Sequence, residues 1–310
     1  MAGFLLLGER MKYTKPALNF REQAERIISR GLHADLPELE NFLSRVNYYR
    51  LSQYLFPFRS QNDDRYIEGT SFAKIKQIYH FDSELRLLSL SAIEVIDVAI
   101  LRTQMVEKFS LSYGPFCYLD IRNFSSGLDR IKHNEILNNI QNNFHKSKEE
   151  FIEKYRINYQ EENYLPFWMV AEISSIGTLS TIFQYLPNEI RIPISRPLKL
   201  HTHELVSWLR TLSNIRNFCA HHSRIWDRKF PLPPARPAKK VLPEFYFPAR
   251  VENNCFLFIL FILRYLTKII SHSNDFLHKL HDLIERYPEV PFHMMGFPEN
   301  WQEYPLLKLS

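Results

Sequence analysis

The densest group of reactive side chains in the sequence surrounds two adjacent histidines, His221 and His222, with Arg216 and Asn217 just before them. Apolar periodicity places all four near the end of one predicted helix. A histidine can accept or donate a proton near neutral pH, and an arginine offers a permanently charged fork of donors to phosphate oxygens. These groups suit RNA cleavage, in which the 2′-hydroxyl loses a proton, the phosphorane needs charge stabilisation and the 5′ oxygen gains a proton. None of these steps requires a metal.

The spacing of these residues constrains how they can act together. On an ideal helix Asn217 and His221 lie about 40° apart, so the Asn217 amide can orient the His221 imidazole. Arg216 lies about 140° from His221, so it reaches the same phosphate through its long side chain, a loosened helix end or a second copy of the chain. The structural alternative is that Arg216 and the histidines cap the last carbonyls of the helix and favour its dipole.

Positive charge is concentrated directly after this helix. The chain has 39 Lys and Arg against 34 Asp and Glu, a net charge of +5. Residues 222–250 alone hold seven Lys and Arg against two Asp and Glu, which is also +5. We therefore predict an RNA-binding arm in which Arg224, Arg228 and Lys229 bind phosphates and Trp226 stacks on bases. The alternative is an ordinary solvated loop.

Length and composition exclude several classes of protein. A chain of 310 residues, 45% of them hydrophobic, can bury a core without disulfides or metals. Its 8 glycines are too few for a β-sandwich or a glycine-cradled nucleotide site. The three cysteines form no CxxC pair, which predicts no disulfide framework, no zinc and a reducing cytoplasm. No apolar run approaches the ~20 residues of a membrane span, and we expect no cofactor.

Helical periodicity predicts an all-α fold. We expect a helix from the Asn19 cap to Ser29, a second over 37–49, and one or two long helices over 71–109 with a break near 80–82. The aromatic stretch 47–59 is compatible with a short hairpin, and the prolines of 229–243 predict an exposed arm. Further helices are expected over 165–176, 178–185, 203–217, 253–270 and 274–286.

Charged residues inside the apolar helical pattern form a second group of candidates. Glu94, Asp97 and Arg102 fall on or near one face of the long helix, and Glu172 is embedded among apolar residues. Buried ion pairing is the expected explanation, since unpaired charges are costly inside a protein. A role in supporting the histidine pair is the alternative for Glu94, Arg102 and Glu172. His201 and His203 have no carboxylate or thiolate partners at the spacing of a zinc site.

Residues 216–228 resemble the C-terminal signature of the Abi-like (AbiD/AbiF) abortive infection proteins of bacteria. The resemblance extends over about residues 11–230. Residues 1–10 precede the family's usual opening, which is consistent with an upstream extension. Met11 is an alternative start to Met1. Gln53 stands where the family more often has glycine. Further matching segments are 12–18, 48–59, 81–88, 92–94, 99–103, 165–169, Glu172 and 177–180.

The resemblance implies a HEPN-type helical bundle, the fold of a ribonuclease family in which an arginine is followed after four to six residues by a histidine. Arg216 fits this motif with His221 at a spacing of four and with His222 at five. Two copies of such a motif usually meet in a dimer, which implies a homodimer here. The family also implies phage defence through growth arrest, as a toxin, and in some members a structured non-coding RNA that restrains it.

The leading hypothesis is therefore a metal-independent endoribonuclease of phage defence. His221 would be the principal acid/base, and His222 would assist it or substitute for it. Arg216 would stabilise the phosphorane, and Asn217 would orient His221. The rivals are a non-catalytic RNA-binding module, in which the same basic surface grips a structured RNA, and a protein-interaction role in phage sensing. We divide the chain into an N-terminal helical and aromatic region (1–70), a HEPN-like domain (71–228), and a basic arm with C-terminal helices that pack on the core (229–310).

Overall fold

The structure is a computed structural model that describes Thr14 and residues 16–60, 63–273 and 275–309. The alternative start Met11 lies outside the described residues. The chain divides into two compact units, residues 1–79 and 80–310. The three-region division made from the sequence stays a prediction.

The described residues form helices and no β-strand, which confirms the all-α class. Two isolated bridges, His33 with Ser71 and Arg59 with Tyr66, are their only β pairing. A π-helix over Asp97–Met105 joins α4 to α5. The α-helices are α1 (Phe20–Ser29), α2 (Leu36–Leu43), α3 (Tyr48–Leu55), α4 (Phe72–Ile96), α5 (Val106–Tyr113), α6 (Arg130–Lys146), α7 (Glu150–Asn158), α8 (Phe167–Ile173), α9 (Ile176–Tyr185), α10 (Asn188–Ser195), α11 (Thr202–Ala220), α12 (Phe256–Ser271) and α13 (Asp275–Arg286).

In the first unit, the local capping signals act as the sequence predicts at α1. The Asn19 side chain accepts a hydrogen bond from the Glu22 N–H, and the Glu22 side chain accepts one from the Asn19 N–H, which forms a complete capping box. The predicted helix over 37–49 is wrong at its end, because α2 stops at Leu43 and a new helix starts at Tyr48.

The aromatic stretch 47–59 is a helix rather than a hairpin, which corrects the sequence interpretation. Asn47 caps α3 by accepting a hydrogen bond from the Tyr49 N–H at 2.8 Å. Leu51, Tyr54 and Leu55 are fully buried, and their i, i+3, i+4 spacing places them on one face of a helix. A helix therefore buries more of this stretch's apolar surface than a two-stranded ribbon would.

The predicted break near 80–82 is also wrong, because α4 runs without interruption from Phe72 to Ile96. Phe81 and Leu85 continue its buried stripe. Asp82, the polar residue that suggested a break, is accommodated because it has buried partners in the second unit. The irregularity lies further on, in the π-helix that begins at Asp97.

The centre of the second unit is α12, whose residues from Phe256 to Thr267 are all buried, as its apolar run predicts. The predicted helices 165–176 and 178–185 are observed as α8 and α9, separated at Ser174 and Ser175, where the Ser175 side chain caps α9. Pro193 lies inside α10, although its neighbouring prolines suggested a connection. No helix in the described part has the length and apolar content needed to cross a bilayer.

The segment 229–243 is not the exposed arm that its prolines predicted. Trp208 of α11 donates its indole N–H to the Ala235 carbonyl at 2.8 Å, and the Ala235 N–H donates to the Ser207 hydroxyl at 2.8 Å. The Ala238 N–H donates to the carboxylate of Glu204 at 3.1 Å. These hydrogen bonds attach the segment to α11, so its prolines stiffen a segment that packs against this helix.

Candidate functional site

The predicted catalytic residues are carried by the last turn of α11 and the two residues after it. One face of α11 is fully buried at Leu205, Trp208, Leu209, Leu212 and Ile215, which fixes the helix against the core. Asn217 and His221 lie on the other face, whereas Arg216 continues the buried face into the last turn, where it is exposed. His222 follows the helix and is also exposed. The helix thus holds a rigid apolar face inward and a reactive polar end outward.

The helix loosens at the histidine pair. His221 is the C-terminal cap, with φ −89° and ψ 12°, and its N–H donates to the Asn217 carbonyl at 2.9 Å. His222 has a left-handed backbone with φ 55°, an uncommon conformation for a residue other than glycine. The helix end is therefore irregular at the histidines, but among the described residues no hydrogen bond joins Arg216 to His221.

The Asn217 side chain interacts differently from the prediction. Its amide oxygen accepts a hydrogen bond from the Arg216 guanidinium at 3.3 Å. Within the described part of the chain it makes no side-chain hydrogen bond to His221, so the expected orienting contact is not formed. Asn217 instead contacts the guanidinium of Arg216, and both residues are exposed.

A buried aspartate anchors the loop that follows the histidine pair, and sequence reasoning missed it. Asp82 is 0% exposed, and one of its carboxylate oxygens accepts hydrogen bonds from the backbone N–H groups of Ile225 at 3.1 Å and Trp226 at 2.6 Å. Its second oxygen pairs with the buried Arg86 one turn later on α4. This contact spans 143 residues and fixes where the chain goes after His222. The available signal was an aspartate and an arginine four apart inside an apolar helical stripe.

Trp226 does not stack on bases in this structure, which corrects its predicted role. The side chain is 0% exposed, because Ile225 and Trp226 insert into the core beneath the loop that Asp82 anchors. A base can stack only on an exposed aromatic face. Trp226 therefore acts as an apolar anchor for the loop.

The cations beside Trp226 are engaged with the loop itself. Arg224 lies 3.8 Å from the carboxylate of Asp227, and Arg228 donates to the Arg224 carbonyl at 2.6 Å while its guanidinium covers the Phe218 ring at 4.2 Å. Both side chains are half-buried, whereas Lys229 is exposed. Of the predicted phosphate-binding residues, Lys229 is the one presented most openly to solvent.

An ion pair in the π-helix lies close to Arg216. Arg102 donates to the Asp97 carboxylate at 3.0 Å, five residues earlier, a separation that the i→i+5 geometry of a π-helix brings together. Arg102 also donates to the carbonyls of Ala171, Glu172 and Ser174 at the end of α8. Burial raises the pKa of Asp97, and the positive charges of Arg102 and Arg216 oppose that rise. The predicted ion pairing is confirmed for Asp97 and Arg102.

Glu94 and Glu172 are not the buried carboxylates that the sequence suggested. Both are exposed in the structure, since the helices that carry them turn these positions outward. Glu172 raises the pKa of Asp97, which places its charge in the same neighbourhood as Asp97 and Arg216. Glu94 has no described contact with this cluster.

The site contains no obvious metal-binding or thiol chemistry among the described residues. In that part of the chain no group of three or more His, Cys, Asp and Glu side chains is arranged to hold a metal ion. The three cysteines are free and buried. Burial raises the pKa of Cys219, two residues before His221, to about 12, so it remains a thiol at neutral pH.

Fold and site together define an all-α protein with an exposed arginine–histidine cluster at the end of a core helix. The family model described as Abi-like protein matches residues 41–227. This is more than half of the chain, and the protein belongs to the Abi-like family. Searches of curated proteins and of solved structures find no match.

Proposed function

We propose that this protein is a metal-independent endoribonuclease that acts in abortive infection. Membership in the Abi-like family supports a role in phage defence. The RNA-cleaving chemistry is supported chiefly by one observation, that Arg216 and both histidines are exposed where α11 ends. The loop that follows them is anchored by the hydrogen bond from the Trp226 N–H to Asp82.

In the proposed reaction His221 accepts the proton of a ribose 2′-hydroxyl. The 2′ oxygen attacks the adjacent phosphorus, the bond from phosphorus to the 5′ oxygen breaks, and that oxygen takes a proton from an imidazolium. The products are a 2′,3′-cyclic phosphate and a 5′-hydroxyl. Arg216 stabilises the charge of the phosphorane, and His222 assists proton transfer.

Asp97 supports this chemistry electrostatically, because its carboxylate attracts the guanidinium of Arg216. A guanidinium oriented in this way loses less conformational entropy on binding the transition state than a free one. Asp97 supplies a negative charge within electrostatic reach of Arg216, and Arg102 ties Asp97 to the end of α8. Asn217 adds the hydrogen bond to the guanidinium.

We further propose that two chains complete one site. Arg216 and His221 lie about 140° apart on an ideal helix, and a second copy of α11 would supply the missing partner on the opposite side of the phosphate. Mixing Arg216→Ala chains with His221→Ala chains tests this. A shared site regains activity in the mixed dimer, because one of its two sites then has an intact arginine and an intact histidine. Continued inactivity despite demonstrated subunit exchange would contradict sharing.

The rival function is an RNA-binding module without catalysis, which the basic segment 222–250 favours. Cleavage and binding of a labelled RNA, measured on the same preparations, separate the two. We expect His221→Ala to lower the cleavage rate by about 10²–10⁴-fold with unchanged RNA affinity, while His278→Ala, an exposed histidine of α13, leaves both unchanged. RNA binding without cleavage by the unmodified chain would favour the rival.

A further inference from the structure

A groove with four cationic side chains runs beside α11, away from the histidine pair. It consists of two adjoining cavities of about 610 Å³ and 570 Å³, which share Asn188, Thr202 and His203. The first is lined by α10 and the exposed face of α11, and the second by the end of α10 and the start of α11. We call this feature the α10–α11 groove.

The groove is lined by positive charge and by no carboxylate among the described residues. Its cations are Arg191, Arg196, Lys199 and Arg210. Arg196, Lys199 and Arg210 are exposed and make no side-chain ion pair or hydrogen bond within the described part. Unneutralised cations in a concave surface focus a positive potential and attract a polyanion.

The geometry of the groove is fixed rather than incidental. The Arg191 guanidinium donates to the Gln184 carbonyl at 2.9 Å and to the Asn188 side chain at 3.0 Å, which holds it in one orientation. Lys199 adopts a left-handed backbone with φ 51°, where glycine or asparagine would be less strained. Strained non-glycine residues of this kind concentrate at functional sites.

The groove is continuous with the proposed catalytic face. His203, Arg210, Asn214 and Asn217 lie within about 60° of one another on an ideal helix, so the face of α11 that lines the groove also carries Asn217 of the site. Along the axis His203 lies about 20 Å from Arg216 at ~1.5 Å per residue. That length corresponds to at most about six stacked nucleotides at ~3.4 Å each.

We infer that the α10–α11 groove binds the single-stranded flank of the RNA substrate, with its phosphates on Arg196, Lys199 and Arg210. The inference rests on the proposed function and specifies its substrate class. Cavities of this size each accommodate one or two unstacked nucleotides, but not an RNA duplex. His201 and His203, stacked with ring centroids 5.8 Å apart and both exposed at the start of α11, offer faces for the bases.

Salt-dependent binding tests the groove separately from catalysis. Binding of a labelled ten-nucleotide single-stranded RNA is measured in the His221→Ala background. The groove variant adds Arg196→Gln, Lys199→Gln and Arg210→Gln. The control instead adds Arg130→Gln, Lys146→Gln and Lys148→Gln, three exposed cations of or beside α6.

The groove variant should lose about 2 from the slope of log affinity against log salt, since each phosphate contact on a single strand contributes ~0.7. Between 50 and 200 mM salt its affinity should then fall about 16-fold less than that of the parent. The control should keep the parental slope. Equal slopes in all three proteins, or tighter binding of a ten-base-pair RNA duplex than of the single strand, would overturn the inference.

Cleavage of two RNAs distinguishes failure of the groove inference from failure of the proposed ribonuclease function. A dinucleotide reaches only the histidine pair, so chains with and without the groove substitutions should cleave it at the same rate. A ten-nucleotide RNA should be cleaved more efficiently by the chain with the intact groove. Equal efficiency on the longer RNA would refute the groove alone. Absence of cleavage on both RNAs would overturn the proposed function, while the salt slopes would still decide the groove.

Discussion

Asp82→Asn is the substitution that most sharply tests how the site is held. It removes the carboxylate charge beside the buried Arg86 and weakens the acceptor for the N–H groups of Ile225 and Trp226. Breaking one partner of a buried ion pair costs about 3–5 kcal/mol. Because the asparagine amide oxygen still accepts a hydrogen bond, we expect the lower end, about 3 kcal/mol.

Equilibrium unfolding in urea, followed by tryptophan fluorescence and circular dichroism, measures this cost. Asp120→Asn is a matched control, because Asp120 also accepts a backbone N–H, from Arg122 at 2.9 Å, and also pairs with that residue's guanidinium. It does so at the exposed surface, so its substitution should leave the unfolding midpoint nearly unchanged. If Asp82→Asn unfolded at the same urea concentration as Asp120→Asn, the buried anchor would not stabilise the loop.

A double-mutant cycle with Arg86→Met separates the ion pair from the loop contacts. The methionine side chain lacks the guanidinium that the carboxylate neutralises, so the double variant should lose less stability than the two single variants added together. RNA cleavage by the folded fraction of Asp82→Asn should also fall, since the chain after His222 is no longer held. Full cleavage activity in that variant would show that the anchor is irrelevant to the site.

Three further predictions follow from the environments of single residues. Burial raises the pKa of Asp97 in the folded chain, so the folded state binds the carboxyl proton more tightly than the unfolded state does. The stability that Asp97 contributes is therefore present below the ordinary aspartate pKa and is lost as the pH rises through the raised pKa. The free energy of unfolding of the unmodified chain relative to that of Asp97→Asn, measured in urea, should decrease between pH 4 and 7. The thiols of Cys117 and Cys219, whose pKa burial raises to about 12, should resist iodoacetamide at pH 8 until the chain unfolds, and rapid native labelling would contradict that burial. Gly296→Ala should destabilise the fold, because its Cβ would lie 2.4 Å from the Cys255 sulfur on a backbone with φ +93°, and an unchanged melting temperature would contradict this packing.

Helix positions were predictable where local signals decide them. The Asn19 capping box specifies the start of α1, and the apolar run of α12 specifies a buried helix, because both depend on neighbours within one or two turns. The predicted end of the helix over 37–49 and the predicted hairpin over 47–59 are wrong because contacts distant in sequence decide these segments. There, burial of Leu51 and Tyr54 against other helices decides the structure.

The candidate site was predictable as a local cluster but not as a three-dimensional one. One helix carries Arg216 and ends beside His221, so their proximity follows from the chain. The burial of Trp226 depends on Asp82, 144 residues away, and no local pattern indicates that contact. The same reason explains why the exposed arm predicted for 229–243 is wrong, since the attachment of this segment to α11 uses Glu204 and Trp208.

The chemistry of the cut ends of the RNA tests the central proposal most directly. A single-stranded RNA is incubated with the purified chain in excess EDTA, and the new termini are identified by mass spectrometry. Attack by the 2′-hydroxyl at Arg216 and His221 predicts a 2′,3′-cyclic phosphate and a 5′-hydroxyl, formed by the unmodified chain and not by Arg216→Ala or His221→Ala. Cleavage that requires added magnesium and leaves a 5′-phosphate, or cleavage that persists in both variants, would contradict the account.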